Sequence, residues 1–232
     1  IIGNKLGVVN YLGVEKYLKS VVGSEMPKSW PIEALKAQGV ASRTYALKQL
    51  GTKKNYDVKS TEKNQVYLGI ESETSSTKRA VNSTRSLVLI HKGKLINSVF
   101  HSSSGGETED SGSAWKNQLP YLKTVPDHDQ HSPKFQWEMR YSPLQLKKSF
   151  PEVGGLNSIQ VLNKSRTERI LKVRVYGPSG FLTLTGKELR KRLNLKSTRA
   201  KFEIISLPSK PIAQPEDNYT MIGEEKLPPL PL

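Results

Sequence analysis

Two helix-forming segments near the start of the chain, joined by a short connection between two prolines, constrain the fold more than any other feature. The apolar residues of the first segment recur at helical spacing: Val14, Tyr17, Leu18, Val21 and Val22. This spacing predicts an amphipathic helix with one buried stripe. Gly23 predicts the end of that helix, and the connection between Pro27 and Pro31 follows it.

The second segment predicts a helix from Pro31 to about Leu50. Proline suits the first helical position, because its missing N–H would have no partner there, and Gly51 predicts the end. Small residues make this helix narrow enough for another element to pack closely against it: Ala37, Gly39, Ala41 and Ala46.

The rest of the chain predicts short strands with a few helices. We expect strands at residues 8–12, 57–60, 65–68, 87–91, 94–100, 156–163, 169–176, 180–185 and 201–206, and helices at 73–82, 140–150 and 186–193. The pattern favours a mixed α+β fold in which two N-terminal helices pack with a short-stranded sheet, and it leaves open two lobes around a cleft. We assign residues 1–207 to one region and the proline-rich residues 208–232 to a tail.

The charge of the chain narrows the choice of binding partner. A net charge of +15 over 232 residues favours polyanions, in a manner that depends on salt. Nucleic acid is one candidate, but the basic residues are scattered in pairs and triplets, and no nucleic-acid-binding motif is present. An anionic cell-wall polymer fits equally well, so charge alone does not choose between them.

Cysteine is absent, which excludes disulfides and cysteine-ligated zinc sites. The sequence has no run of about 18 apolar residues, the length that a membrane-spanning helix needs. The first residues, Ile1 to Lys5, lack the pattern of a signal peptide and no initiator Met precedes them. This leaves room for a leader or a membrane anchor upstream of residue 1.

Glu25 is the candidate for acid–base chemistry. Its sequence neighbours are mostly apolar: Val21, Val22, Met26, Pro27 and Trp30. Desolvation by such side chains disfavours the carboxylate anion and would keep the group protonated, as a general acid requires near neutral pH. The alternative is an ordinary solvated surface carboxylate, and the local sequence leaves both open.

The segment Tyr17–Leu47, with its run VVGSEMPKSWPIEALKAQGVASRTYAL, resembles the signature of the SpoIID/LytB family. Three later segments match the family's pattern in the same order: Gln65–Gly69, Phe100–Thr108 and Gly186–Thr198. The resemblance covers about residues 8–206. Some relatives hold a metal partly through cysteines after the second of these segments. This chain has no cysteine, so we predict no metal site.

The resemblance implies a lytic transglycosylase, which cleaves the bond between N-acetylmuramic acid and N-acetylglucosamine and leaves a 1,6-anhydro end. Glu25 would be its single acid and base, and no cofactor would take part. The protein would act outside the cytoplasm, in the periplasm or cell wall, and its partners would be peptidoglycan glycan strands and not nucleic acid. Sporulation-type members prefer strands without stem peptides, whose exposed lactyl carboxylates suit a basic cleft.

The LytB branch of the family implies an alternative, a non-catalytic wall-binding protein that stimulates an N-acetylmuramoyl-L-alanine amidase. A carboxyl in an apolar pocket favours the enzyme, because a protein that only binds has no use for it.

The resemblance also implies a set of substrate-binding residues: Arg43, Gln38, Tyr45, His101, Ser102, Ser103 and Ser104. The alternatives are a solvated helix charge for Arg43 and an ordinary polar turn for the serine-rich segment. Four further residues are of types that bind metals, although we expect them to form a surface turn: Asp127, His128, Asp129 and His131.

Overall fold

The computed structural model describes residues 7–52 and 55–205. They form two compact units: the first runs to Arg140 and includes Ser165–Thr167, and the second comprises Tyr141–Lys164 and the described residues from Glu168 onward. Helices and small antiparallel sheets are both present, so the predicted α+β class is confirmed. The predicted tail, 208–232, lies outside the described residues. None of the helices described is both long and apolar enough to cross a membrane.

Helices α1 (Val14–Glu25), α2 (Ile32–Gln49) and α3 (Ser75–Ser83) form the core of the first unit. They meet through apolar side chains that are fully shielded from solvent: Leu18, Val22, Leu35, Ala80 and Val81. The side chain of Thr74 caps α3 by accepting a hydrogen bond from the N–H of Thr77, which satisfies one of the free donors at the start of a helix. The three predicted helices are confirmed, apart from the end of α1.

The prediction that α1 ends at Gly23 is wrong, because the helix continues to Glu25. A Cβ atom at position 23 would collide with the carbonyl oxygen of Ser72. Glycine therefore allows the short 3-10 turn Gly69–Ser72 to pack directly on the backbone of α1. Glu25 becomes the last helical residue as a result.

The predicted hairpin of the first unit is confirmed, although its strands are shorter than expected. Strands β1 (Ile90–His91) and β2 (Lys94–Leu95) pair antiparallel. The turn residues Lys92 and Gly93 have φ angles of 49° and 73°, as a two-residue turn that follows the twist of the strands requires. A single helical turn, α4 (Ser111–Ala114), lies later in the unit.

Residues 8–12, 57–60 and 65–68 form no strands, so these three predictions are wrong. Ser60 and Gln65 form an isolated bridge. The hydroxyl of Ser60 donates to the carbonyl of Tyr67 at 2.6 Å and accepts from its N–H at 3.1 Å. Hydrogen bonds from side chains to the backbone therefore replace a strand ladder in this segment.

The second unit contains the antiparallel meander that the sequence predicts. Helix α5 (Pro143–Ser149) precedes strands β3 (Ser158–Lys164), β4 (Ile170–Gly177) and β5 (Gly180–Thr185), and helix α6 (Gly186–Arg192) follows them. The strand order is β3-β4-β5. Each strand reaches its neighbour through a short turn, which explains why this part of the fold could be predicted from local patterns.

The core of the second unit lies on one face of β4, where Val173 and Val175 are fully buried. Other buried apolar side chains complete it: Phe150, Ile170, Leu184, Leu189, Leu193 and Leu195. Thr185 caps α6 as predicted, because its side chain accepts from the N–H of Glu188. The strand predicted at 201–206 is absent from its described residues, 201–205.

Candidate functional site

The first unit contains a cavity of about 550 Å³ that is lined by Glu25 and by four of the predicted substrate-binding residues. Those four residues are Gln38, Tyr45, His101 and Ser102. Glu25 ends α1, Gln38 and Tyr45 lie on α2, and His101 and Ser102 belong to the loop that follows the β1–β2 hairpin. A volume of this size is in the range of small-molecule and sugar-sized binding sites.

The side chain of Glu25 is fixed by a backbone donor. Its Oε1 atom accepts a hydrogen bond of 2.6 Å from the N–H of Val66. Within residues 7–52 and 55–205, no hydrogen bond reaches Oε2. The last turn of α1 contains no basic residue, and the negative end of the helix dipole disfavours a carboxylate there. One carboxylate oxygen of Glu25 is therefore held by the backbone, and the other is available to a molecule in the cavity.

Gln65 holds the segment that supplies the Val66 donor. Its side chain is fully buried, and its Nε2 donates to the carbonyl of Ser42 at 3.1 Å. Its Oε1 accepts from the hydroxyl of Tyr17 at 3.1 Å. Because both ends of the amide are bonded, the backbone beside it is held at a fixed distance from α1 and α2.

Two tyrosines lie near Glu25: Tyr45 lines the same cavity, and Tyr17 is close enough for its pKa to respond to the charge of Glu25. Burial raises the pKa of Tyr17, and the nearby charge of Glu25 raises it further, so this hydroxyl keeps its proton at any physiological pH. The ring of Tyr17 stacks on that of Tyr67, with 5.4 Å between the centroids. The hydroxyl of Tyr45 accepts a hydrogen bond of 2.9 Å from the side-chain amide of Asn64.

The wall of the cavity near Glu25 is mixed in character. Met26, Pro27 and Trp30 line it, as the sequence suggested for an apolar neighbourhood, and Trp30 is 40% exposed. Lys63 and Lys134 line it as well, and both are exposed. The surroundings of Glu25 therefore combine an apolar side with basic and phenolic groups.

The serine-rich loop divides into two parts. His101 and Ser102 line the cavity, whereas Ser103 and Ser104 do not. The hydroxyl of Ser103 donates to the carboxylate of Asp129. The hydroxyl of Ser104 donates to Asp127 at 2.7 Å. Ser103 and Ser104 thus stabilise the loop through these hydrogen bonds and do not line the cavity.

Asp129 is the centre of this loop. Its carboxylate accepts hydrogen bonds of 2.7, 2.9 and 2.8 Å from the backbone N–H groups of Ser104, Gly105 and Gly106. Burial tends to raise the pKa of Asp129, but the hydrogen bonds from the Ser103 hydroxyl and the three amides outweigh it and lower the pKa to about 2. The carboxylate therefore stays charged and orders the loop that carries His101.

Arg43 lies inside the unit, where its side chain is 1% exposed. Its Nε and Nη2 atoms donate to the two carboxylate oxygens of Glu15, both at 2.9 Å. Its Nη1 and Nη2 atoms also donate to the carbonyls of Leu87 and Val81, at 3.1 and 3.2 Å. Arg43 therefore connects α1, α2, α3 and the chain that follows α3, and its side chain has almost no surface left for a substrate contact.

Gln38 is buried and contributes a wall of the cavity, and its Nε2 donates to the hydroxyl of Ser42 at 2.9 Å. Asp127 and Asp129 are used by the serine-rich loop, while His128 and His131 are exposed. No group of three or more residues of metal-binding type comes together within the described ranges.

Sequence reasoning missed the residues that support Glu25. The amide of Val66 carries no side-chain signal, so no pattern could have indicated it. Gln65 and Tyr67 lie in a segment that was recognised by its resemblance but interpreted as a strand. Asp129 was expected in a surface turn. Nothing in its spacing from the serine-rich loop indicates that the two segments meet.

Comparison with known proteins finds a match to the family described as SpoIID, stage II sporulation protein, over residues 3–91. The chain is similar to the amidase enhancer of Bacillus subtilis (strain 168), with 43% identity over 129 residues, which are 56% of this chain and 17% of that protein. It is also similar to stage II sporulation protein D of Bacillus subtilis (strain 168), with 28% identity over 209 residues, 82% of this chain and 60% of that protein. The corresponding protein of Bacillus amyloliquefaciens is 29% identical over 209 residues, with the same coverage. The chain thus spans less than two thirds of the length of each of these relatives.

Proposed function

This chain belongs to the SpoIID family, and we propose that it is a lytic transglycosylase of the bacterial cell wall with Glu25 as its acid and base. Its substrate is the bond between N-acetylmuramic acid and N-acetylglucosamine in peptidoglycan glycan strands. The product is a 1,6-anhydro-N-acetylmuramic acid end. Such a protein acts outside the cytoplasm, where the glycan strands lie.

The chemistry needs one carboxyl group and no water. The protonated carboxyl of Glu25 gives its proton to the glycosidic oxygen as the bond from that oxygen to C1 of the muramic residue breaks, and the ring becomes oxocarbenium-like. The resulting carboxylate then takes the proton of the C6 hydroxyl while O6 forms a bond to C1. Glu25 ends protonated again, so atoms and charges balance over the cycle. General acid–base catalysis of this kind contributes about 10²–10⁴-fold to the rate.

The observation that carries the proposal is the placement of Glu25. One carboxylate oxygen is held by the N–H of Val66, while the group lines a cavity together with Tyr45 and His101. A side chain that is anchored at one oxygen has a defined direction for the other, as a proton donor to a bound substrate requires. The cavity walls also offer hydrogen-bonding groups to sugar hydroxyls.

The basic residues of the cavity support a substrate without stem peptides. Removal of the peptide exposes the lactyl carboxylate on each muramic residue, which makes the strand a regularly spaced polyanion. Lys63 and Lys134 line the same cavity as Glu25 and Glu62, so these two lysines would contact the carboxylates of such a strand, while the net charge of +15 of the chain supplies the wider attraction.

A second candidate function is the stimulation of an N-acetylmuramoyl-L-alanine amidase without catalysis. It is favoured by the 43% identity to the protein named amidase enhancer. In this case the cavity would hold the glycan for another enzyme, and the amidase would be the partner of this chain.

The test is incubation of peptide-free glycan strands with the native protein, with Glu25→Gln and with Glu62→Gln, followed by mass spectrometry of the fragments. Glu62 is exposed and lines the same cavity, so its substitution makes the same charge change beside the site. Anhydro-ended fragments from the native protein and from Glu62→Gln, but not from Glu25→Gln, support the proposal. If both variants lose the release of anhydro-ended fragments to the same extent, the proposed role of Glu25 is contradicted.

A further assay, the stimulation of an added amidase, distinguishes the two candidate functions. If the native protein releases no fragments, while the native protein and Glu25→Gln stimulate an added amidase equally, the enhancer function is correct and the enzyme proposal is wrong.

A further inference from the structure

A second cavity in the first unit, of about 420 Å³, lies beside the β1–β2 hairpin and the end of α2. Its lining consists of Lys48, His91, Lys92, Lys94, Leu95 and Tyr121. Three of these side chains are ammonium groups and none is a carboxylate. The two cavities share no lining residue, so this site does not depend on the role of Glu25.

The lysines of the second cavity form no ion pair with an acid of the described residues. The ion pairs in the described parts of the chain involve other lysines and arginines, and none includes Lys48, Lys92 or Lys94. Lys48 donates to the backbone carbonyl of Leu95 at 2.8 Å, which positions its ammonium at the cavity without neutralising it. Three like charges around one concavity raise the local concentration of anions.

His91 adds an unusual feature to this cavity. Its Nε2 atom is buried, and no hydrogen bond reaches it from the described residues. The imidazole packs against the ring of Tyr121, with the ring centroids 5.4 Å apart. Because His91 also lines the cavity, its ring is a probe for an anion that binds there.

The elements that present these groups are held in place. Lys92 and Gly93 occupy the tight turn of the hairpin with positive φ angles, and the hydroxyl of Tyr121 accepts a hydrogen bond of 3.2 Å from the N–H of Asn97. Lys48 is a residue of α2. The charged groups therefore converge from a helix and a hairpin and not from a loose chain end.

We propose that the second cavity binds a phosphoryl group. Lysine binds phosphate groups as a compact point charge. The cavity has three lysines and no acidic side chain, and a tetrahedral phosphoryl group can present a separate oxygen to each lysine, whereas a planar carboxylate has only two oxygens. The phenol of Tyr121 can donate to a phosphate oxygen that the lysines leave, and the ring of His91 lies beside it. The phosphoryl group can come from free phosphate or from a phosphodiester-linked polymer, and the experiment below distinguishes these sources.

The test compares two double variants that remove the same charge. Lys92→Gln with Lys94→Gln changes the cavity, and Lys116→Gln with Lys123→Gln changes two exposed lysines that line neither cavity. Each protein is titrated at physiological salt with inorganic phosphate, with poly(glycerol phosphate) and with polyglutamate. Imidazole ¹⁵N resonances of the 4 histidines show which ring contacts the added anion.

We expect the cavity variant to bind the phosphate probe at least about tenfold more weakly than the native protein, because a lost charge-assisted contact costs about one power of ten in affinity. The affinity of the control double variant should differ from that of the native protein by less than about twofold. Only the resonances of His91 should shift. Binding of both phosphate probes indicates recognition of the phosphoryl group itself, and binding of the polymer alone indicates a phosphodiester chain. The proposal is wrong if neither phosphate probe binds, or if both double variants weaken phosphate binding equally. It is also wrong if the affinity of the cavity variant for polyglutamate falls as much as its affinity for phosphate.

Discussion

The backbone nitrogen of Val66 lies 2.6 Å from Oε1 of Glu25, although the two residues are 41 positions apart in the sequence. The direction of the candidate catalytic carboxyl is therefore set by a segment outside its own helix. That segment has no regular secondary structure to hold it. Its position depends instead on the buried amide of Gln65, which bonds α1 through Tyr17 and α2 through Ser42.

Replacement of Gln65 by Leu should reduce both stability and activity. The change leaves the carbonyl of Ser42 and the hydroxyl of Tyr17 without their partner, which costs about 1–3 kcal/mol, and it releases the Val66 donor from Glu25. Urea unfolding measures the loss of stability. Fragment release from glycan strands measures the loss of activity. Gln130→Leu, at an exposed position, is the control and should change neither. Full activity in Gln65→Leu would show that this anchor does not position Glu25.

Arg43→Lys should lower the free energy of unfolding by about 3 kcal/mol, because a single ammonium cannot reach both oxygens of Glu15 and the carbonyls of Val81 and Leu87. Denaturation by urea checks this value. A loss of glycan binding without a loss of stability would mean that Arg43 contacts the substrate after all.

The same ion pair predicts a pH dependence. The hydrogen bonds and charge of Arg43 hold the pKa of Glu15 below its usual value of 4.5. Since the folded-state pKa is the lower one, the pair stabilises the protein fully above pH 4.5 and loses this contribution as the pH falls further. Unfolding curves between pH 3 and pH 7 should therefore converge for the native protein and Glu15→Gln at the acidic end.

Apolar periodicity was sufficient to predict the helices of the first unit and the meander of the second, because both are local patterns. It could not predict the polar face of α2, where Gln38, Ser42 and Arg43 are buried. A helix pattern places polar residues outward by default, and only tertiary contacts reverse this. The resemblance identified Glu25, but not the support that Val66 and Asp129 give to the site.

Gly23→Ala should destabilise the first unit by about 2 kcal/mol, the usual cost of forcing a methyl group into packed structure. The added Cβ meets the carbonyl of Ser72, and neither backbone can move without disturbing α1 just before Glu25. Gly13→Ala is the matched control, because nothing lies within 4 Å of a Cβ there. Thermal unfolding of the two variants tests this prediction. Equal midpoint temperatures for Gly23→Ala and Gly13→Ala would contradict the close packing of Gly23 on Ser72.

Asp129→Asn should loosen the serine-rich loop while the helical core stays folded. An amide has one acceptor oxygen in place of two and cannot accept all four hydrogen bonds from Ser103 and the backbone N–H groups that follow it. In the native protein the pKa of about 2 means that the charged form orders the loop above pH 4 and is lost only as the pH falls through 2. Amide hydrogen exchange of residues 101–106 should rise in the variant at neutral pH. Unchanged exchange would show that the loop does not need this carboxylate.

The double variant Lys63→Gln with Lys134→Gln should bind peptide-free glycan strands about tenfold more weakly at low salt, as the loss of two exposed charge contacts implies. The difference should shrink as salt is raised to physiological strength, because mobile ions screen exposed charges over about 8–10 Å. Lys116→Gln with Lys123→Gln removes the same charge away from the cavity and should have a smaller effect at every salt concentration. Strands that keep their stem peptides have no free lactyl carboxylate beside the sugar ring, so their binding should respond less than that of peptide-free strands to the loss of Lys63 and Lys134. If native binding to peptide-free strands proves independent of salt, the lysines of the cavity do not select the substrate by charge, and its preference must come from the sugar contacts near Tyr45 and His101.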